Sequence, residues 1–140
     1  MHEVNFEEAL ERILAKDSRY HSEAYIFLRE ALDFTQKQIG KENRGQVRHI
    51  SGRELLEGIR HYALEQFGPM AITVLEEWGV KQCRDFGEIV FNMVEIGLLA
   101  KTETDSREDF ADGYDFHDAF LKPFLPASRL KREEPSPKQN

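Results

Sequence analysis

Apolar residues in the first part of the chain recur at helical spacing. Between Phe6 and Leu14 they occupy positions i, i+3, i+4, i+7 and i+8 of a helix with one buried face. Asn5 precedes this run and Glu8 lies three residues further on, which is the arrangement of a capping box at a helix start. The pattern therefore predicts a first helix that begins after Asn5.

A longer apolar stripe predicts a second helix from Ser22 to Ile39, with Gly40 placed to end it. Its apolar side covers more than half of the circumference, which is typical of a central helix, so we expect it to be sandwiched between neighbours. Residues 40–50 show no sustained period, and we expect a surface connection there.

Three shorter helices are predicted between residues 51 and 97. The third helix starts at a capping box of Ser51 and Glu54 and ends at Gly68. The fourth is predicted over Pro69–Trp78, because proline is tolerated in a first helical turn, and the fifth over Arg84–Ile96.

Two glycines, Gly58 and Gly87, lie inside predicted helices. Glycine in a helix interior costs up to about 1 kcal/mol relative to alanine, so each position needs a compensating reason. Close packing against another helix of the same chain is the favoured interpretation, with close approach of a partner as the alternative.

The pattern changes to a period of two after the fifth helix. Tyr114, Phe116 and Phe120 alternate with polar residues, which predicts a strand that pairs with Leu98–Glu103 across a ten-residue loop. Residues 118–121 equally fit a last helical turn.

The predicted fold class is therefore mainly α, with about five helices and a C-terminal two-stranded β-hairpin. Residues 51–120 have the element order of a winged-helix domain, and the helical pair of residues 5–40 should pack on that unit. We expect one domain over residues 1–125 and a disordered basic tail over residues 126–140, which hold three of the five prolines.

Charge and composition limit the class of protein. The chain has 140 residues and a formal charge of -7, and its 40% hydrophobic content excludes disorder of the main body. Its apolar runs are too short for a membrane span, and its acidic start does not resemble a signal sequence. Cys83 is the one cysteine, which fits a reducing compartment, so we expect a cytoplasmic protein.

Negative charge is concentrated in residues 81–120, where 4 basic and 10 acidic residues give a net charge of -6. Such a surface suits a basic partner protein. The leading hypothesis is a non-enzymatic protein-interaction module, and self-association stays open. The expected partner-binding residues are Asp85, Glu88, Glu95, Asp105, Glu108, Asp109 and Asp112.

A DNA-associated regulator of winged-helix type is the second hypothesis. It would use the basic residues Arg44, Arg48, Arg53 and Arg60 together with the tail. The carboxylates on the predicted recognition helix and wing would repel phosphates, so nucleic-acid binding is disfavoured.

An enzyme with a cryptic site is the third hypothesis. Cys83 precedes the fifth helix, where the helix dipole stabilises a thiolate, but a small buried cysteine is the favoured interpretation. His61 and Glu65 are four residues apart on the third helix, and an exposed surface pair is favoured there. The sequence matches neither a nucleophile elbow nor a phosphate-binding loop, so we assign no catalytic residue and no cofactor.

The acidic residues between Asp105 and Asp118 resemble ligands for a hard cation. An EF-hand loop that started at Asp105 would place Arg107 at its third position and Phe110 at its sixth, where a carboxylate or amide and a glycine are required. We therefore assign no metal site and expect a solvated acidic loop anchored by Phe110.

Several stretches of the chain together resemble a known family. They are EAYIFLREALDFT (23–35), SGRELLEGIR (51–60), FGPMA (67–71), WGV (78–80), DFGEIVF (85–91) and TETDSREDF (102–110). In this order they resemble an uncharacterised family of small bacterial proteins restricted to planctomycetes and verrucomicrobia, over roughly residues 5–120. The resemblance implies a lineage but no substrate, cofactor or catalytic residue.

Overall fold

A computed structural model describes residues 5–42, 50–99 and 107–126 of the chain. Within these residues there are five α-helices, one short 3-10 turn between the third and fourth of them, and three short 3-10 or π turns in the C-terminal part. The helices are α1 (Phe6–Lys16), α2 (Ser22–Glu42), α3 (Gly52–Phe67), α4 (Ala71–Glu77) and α5 (Cys83–Glu95). The turns are Gly68–Met70, Arg107–Phe110, His117–Leu121 and Lys122–Phe124.

The helix starts follow from local capping. The Asn5 side chain accepts hydrogen bonds from the first-turn amides of α1, and Ser51 and Glu54 form the reciprocal capping box of α3, as predicted. Gly68 adopts a positive φ at the end of α3. The prediction that Gly40 ends α2 is wrong: α2 continues to Glu42, and Gly40 is not among the glycines with positive φ.

Gly58 of α3 lies directly against Thr35 of α2. A Cβ atom at Gly58 would collide with the Thr35 side chain, so only glycine permits this spacing. The buried Thr35 hydroxyl donates a hydrogen bond to the Ala31 carbonyl at 2.7 Å, which removes the cost of burying it. Internal packing, as favoured from the sequence, explains Gly58.

One apolar core connects the described helices. Helix α5 contacts α1, α2 and α3, and its inward side chains Phe86, Ile89 and Met93 are almost completely buried. Tyr25 of α2 and Phe120 near the C-terminus are 0% exposed. The central position of α2 predicted from its wide apolar side is confirmed by its contacts with α1, α3 and α5.

The predicted β-hairpin is wrong, since the described residues contain no strand. A strand with Phe116 and Phe120 inward would also turn Asp118 inward. Residues 117–121 instead form a helical turn that leaves the Asp118 side chain 62% exposed, while Ala119 and Phe120 are buried. The Phe116 and Phe120 rings then meet edge to face at 5.0 Å, as expected for an i, i+4 pair.

The winged-helix interpretation of residues 51–120 is also wrong, because it required the hairpin. The three helices α3, α4 and α5 are present, but Leu98 and Leu99 form a turn whose amides donate to the Met93 carbonyl. Residues 100–103 of the predicted first strand lie outside the described residues, as does the predicted tail from residue 127. None of the described helices is both long and apolar enough to cross a membrane.

Candidate functional site

An apolar groove of about 230 Å³ opens between α2, α3, α5 and the Arg107–Phe110 turn. Eight of its eleven lining residues are apolar. Helix α5 supplies Val90, Phe91 and Val94, and α2 supplies Leu32. Val90, Val94 and Leu32 are only partly buried. The groove therefore leaves part of each of these apolar side chains accessible to solvent.

Phe110 forms one wall of the apolar groove and fixes the turn that carries it. Its ring is 4% exposed and meets Phe91 of α5 edge to face at 6.5 Å. A Cβ atom at Gly87 would lie 2.8 Å from the Cβ of Phe110, and one at Gly52 would lie 3.2 Å from the ring. Two glycines on two helices thus make the slot that Phe110 fills, which confirms Phe110 as the predicted anchor.

The polar lining of the apolar groove is small. Gln36 lies on α2, and Ser51 and Gly52 form the start of α3. The Ser51 hydroxyl accepts a hydrogen bond from the Glu54 amide at 3.1 Å, so this hydroxyl already caps the helix. Ile50, Leu55 and Leu99 complete the lining, and Ile50 and Leu99 stand at the ends of described stretches.

Carboxylates flank the apolar groove on one side. Glu108 and Asp109 belong to the Arg107–Phe110 turn, called here the acidic turn, and the Cβ of Asp109 would be 2.7 Å from a Cβ at Gly52. Asp112 follows, but it lines a separate depression with Arg53 and Glu57. Of the predicted partner-binding residues that the structure describes, Asp109 is thus the one that contacts a residue lining the groove.

Two other predicted partner-binding residues are engaged within the molecule. Asp85 accepts hydrogen bonds from the Lys81 and Gln82 amides at the start of α5 and from the Tyr20 hydroxyl at 2.7 Å. Glu88 accepts a hydrogen bond from Arg19 at 3.2 Å. These two carboxylates therefore stabilise the fold and are poorly placed to receive a partner.

The remaining predicted acidic residues are dispersed. Glu95 is exposed and lies beside Lys16 and Ile13 of α1, on the side of α5 away from the apolar groove. Asp105 lies outside the described residues. The six of these carboxylates that the structure describes thus do not meet on one face.

A polar clasp of Asp17, Arg19, Tyr25, Glu88 and Asn92 joins the α1–α2 connection to α5. Arg19 Nη2 lies 2.7 Å from Asp17 Oδ2, and Asn92 donates to the same oxygen at 3.0 Å and to the Tyr25 hydroxyl at 2.9 Å. The pKa of Asp17 lies far below its ordinary value, mainly because Arg19 donates hydrogen bonds to the carboxylate. The clasp therefore depends on an ionised Asp17.

Sequence reasoning did not find the polar clasp or the apolar groove. The clasp joins residues that are about 70 positions apart, such as Arg19 and Glu88, and its only local signal is the Arg19–Asp17 pair. The groove is formed by the relative positions of α2, α3 and α5, which are set by tertiary packing. Its one local signal is the excess apolar width of α2, which includes Leu32.

The basic residues expected for nucleic acid do not assemble within the described structure. Arg53 is exposed, and Arg60 forms a hydrogen bond with Glu57 on the same helix. That bond is the main cause that lowers the pKa of Glu57. Arg44 and Arg48 lie outside the described residues.

The groups considered for catalysis are separated in the described structure. Cys83 is 3% exposed and its thiol donates to the Tyr114 carbonyl at 3.4 Å. Burial raises the pKa of Cys83 to about 11, which opposes thiolate formation. His61 and Glu65 are both exposed, and the ion-pair distance of His61 is 3.7 Å to Glu57 on the preceding turn.

Asp115, His117 and Asp118 bring their potential ligand atoms within 4.8 Å of one another. All three are exposed. Asp115 accepts a hydrogen bond from the Asp118 amide at the start of the His117–Leu121 turn, and Lys122 lies 3.6 Å from Asp118. A helix start and an ion pair account for this arrangement, so no metal site is assigned.

Neither a family model, nor a curated protein, nor a solved structure matches the chain. Function therefore has to be argued from the groove, the acidic turn and the clasp themselves.

Proposed function

We propose that the protein is a non-enzymatic interaction module that holds apolar side chains of a partner protein in the apolar groove. The observation that carries the proposal is the partly exposed apolar lining contributed by Leu32, Val90 and Val94. Apolar side chains gain roughly 25 cal/mol for each Å² removed from water, so a complementary partner surface is favoured there. A cytoplasmic location is part of the proposal and is supported by the lone thiol of Cys83.

The size of the apolar groove favours side chains of a protein over a complete small molecule. Small-molecule sites typically enclose about 300 to 1,000 Å³ and bury most of their ligand. The groove offers about 230 Å³, which is below this range. It therefore suits one or two anchoring side chains of a longer segment, as in recognition of helices by grooves.

The chemistry of the reactive residues also favours binding. The Cys83 thiol is buried with a raised pKa, and His61 is exposed on the outer surface of α3. Neither residue lines the apolar groove. A catalytic role would need a nucleophile, base or metal ligand beside the bound substrate.

The test is a selection of short peptides from a random displayed library against wild-type protein and Val94→Lys. Val94 is partly exposed, so a lysine there can extend its ammonium group to water while it obstructs the groove. We expect apolar peptides that bind wild-type protein about tenfold or more tightly than Val94→Lys, a difference of about 1.4 kcal/mol.

Val74→Lys is the matched control, because Val74 is a partly buried valine on α4 outside the groove. Selected peptides should bind this variant as they bind wild-type protein. A library that yields no binders, or binders that tolerate Val94→Lys as well as Val74→Lys, would reject the groove as the binding site. Circular dichroism of both variants checks that each is folded.

A further inference from the structure

We draw no further inference here: the strongest candidate, the depression on the outer face of α2 beside Phe34 and Tyr62, is a partly exposed aromatic face, and nothing in the described part of the chain shows what covers it.

Discussion

The two flanks of α5 differ in how completely their side chains find partners inside the molecule. On the flank toward α1, Asn92 and Glu88 take part in the polar clasp, where most hydrogen-bonding groups have partners inside the molecule. On the other flank, Val90 and Val94 line the apolar groove and keep exposed apolar area. One helix thus contributes residues both to the polar clasp and to the apolar groove.

This difference distinguishes carboxylates that stabilise the fold from carboxylates that are available to bind a partner. Asp85 and Glu88 accept hydrogen bonds from residues about 65 to 69 positions away, so their charge is used in holding the fold. Asp109 stands beside exposed apolar side chains on the opposite flank. A carboxylate is a candidate for partner binding when apolar area remains open next to it.

Phe110→Ala should cause the largest loss in the free energy of unfolding, because it removes the side chain that anchors the Arg107–Phe110 turn to α3 and α5. Truncation of a buried phenylalanine typically costs about 3 to 5 kcal/mol, and the slot between Gly52 and Gly87 would become a cavity. Urea unfolding measures the loss. Phe124→Ala is the matched control, since Phe124 is 43% exposed and its truncation should change the free energy of unfolding by less than about 0.5 kcal/mol. Similar losses for both variants would contradict the anchoring role of Phe110.

Features that depend on interactions between residues close in sequence were predictable, and features that depend on tertiary packing were not. Helix starts at Asn5 and Ser51 were predictable because each cap involves groups within three residues. The hairpin prediction failed because a period of two over few residues also fits a helical turn, and only packing of Phe116 on Phe86 decides between them.

The candidate site was less predictable than the helices. Phe110 was recognisable as an anchor, since it is the one aromatic residue between Asp105 and Asp112. The division of the carboxylates was not, because Asp85 meets Tyr20 only after α5 has packed against the α1–α2 connection. Tertiary contacts therefore decide which charges remain available to a partner.

Asp17→Asn should give an intermediate effect on the clasp flank. Loss of the charged hydrogen bonds with Arg19 and Asn92 should cost about 1 to 3 kcal/mol near neutral pH. The pKa of Asp17 is lowered in the folded protein, mainly by Arg19, so its stabilisation is present above the ordinary aspartate pKa of about 3.9 and is lost as pH falls toward the folded value. The stability difference between wild-type protein and Asp17→Asn should therefore shrink below about pH 4.

Urea unfolding at a series of pH values measures this dependence. Asp33→Asn is the control, because the Asp33 side chain is 65% exposed and its pair with Lys37 is a surface ion pair of little net stability. Its difference from wild-type protein should stay small at every pH. A difference for Asp17→Asn that does not change with pH would show that the clasp does not depend on the charge of Asp17.

Glu88→Gln should give the smallest effect and provides the sharpest comparison of the two flanks. The Arg19–Glu88 pair is partly exposed, so its loss should cost less than about 1 kcal/mol in urea unfolding. Binding of the selected groove-dependent peptides should equal that of wild-type protein, because Glu88 lies on the clasp flank, whereas Val94→Lys should weaken it. If Glu88→Gln weakens peptide binding as much as Val94→Lys, both flanks of α5 belong to one binding surface, and the distinction between the polar clasp and the groove is wrong.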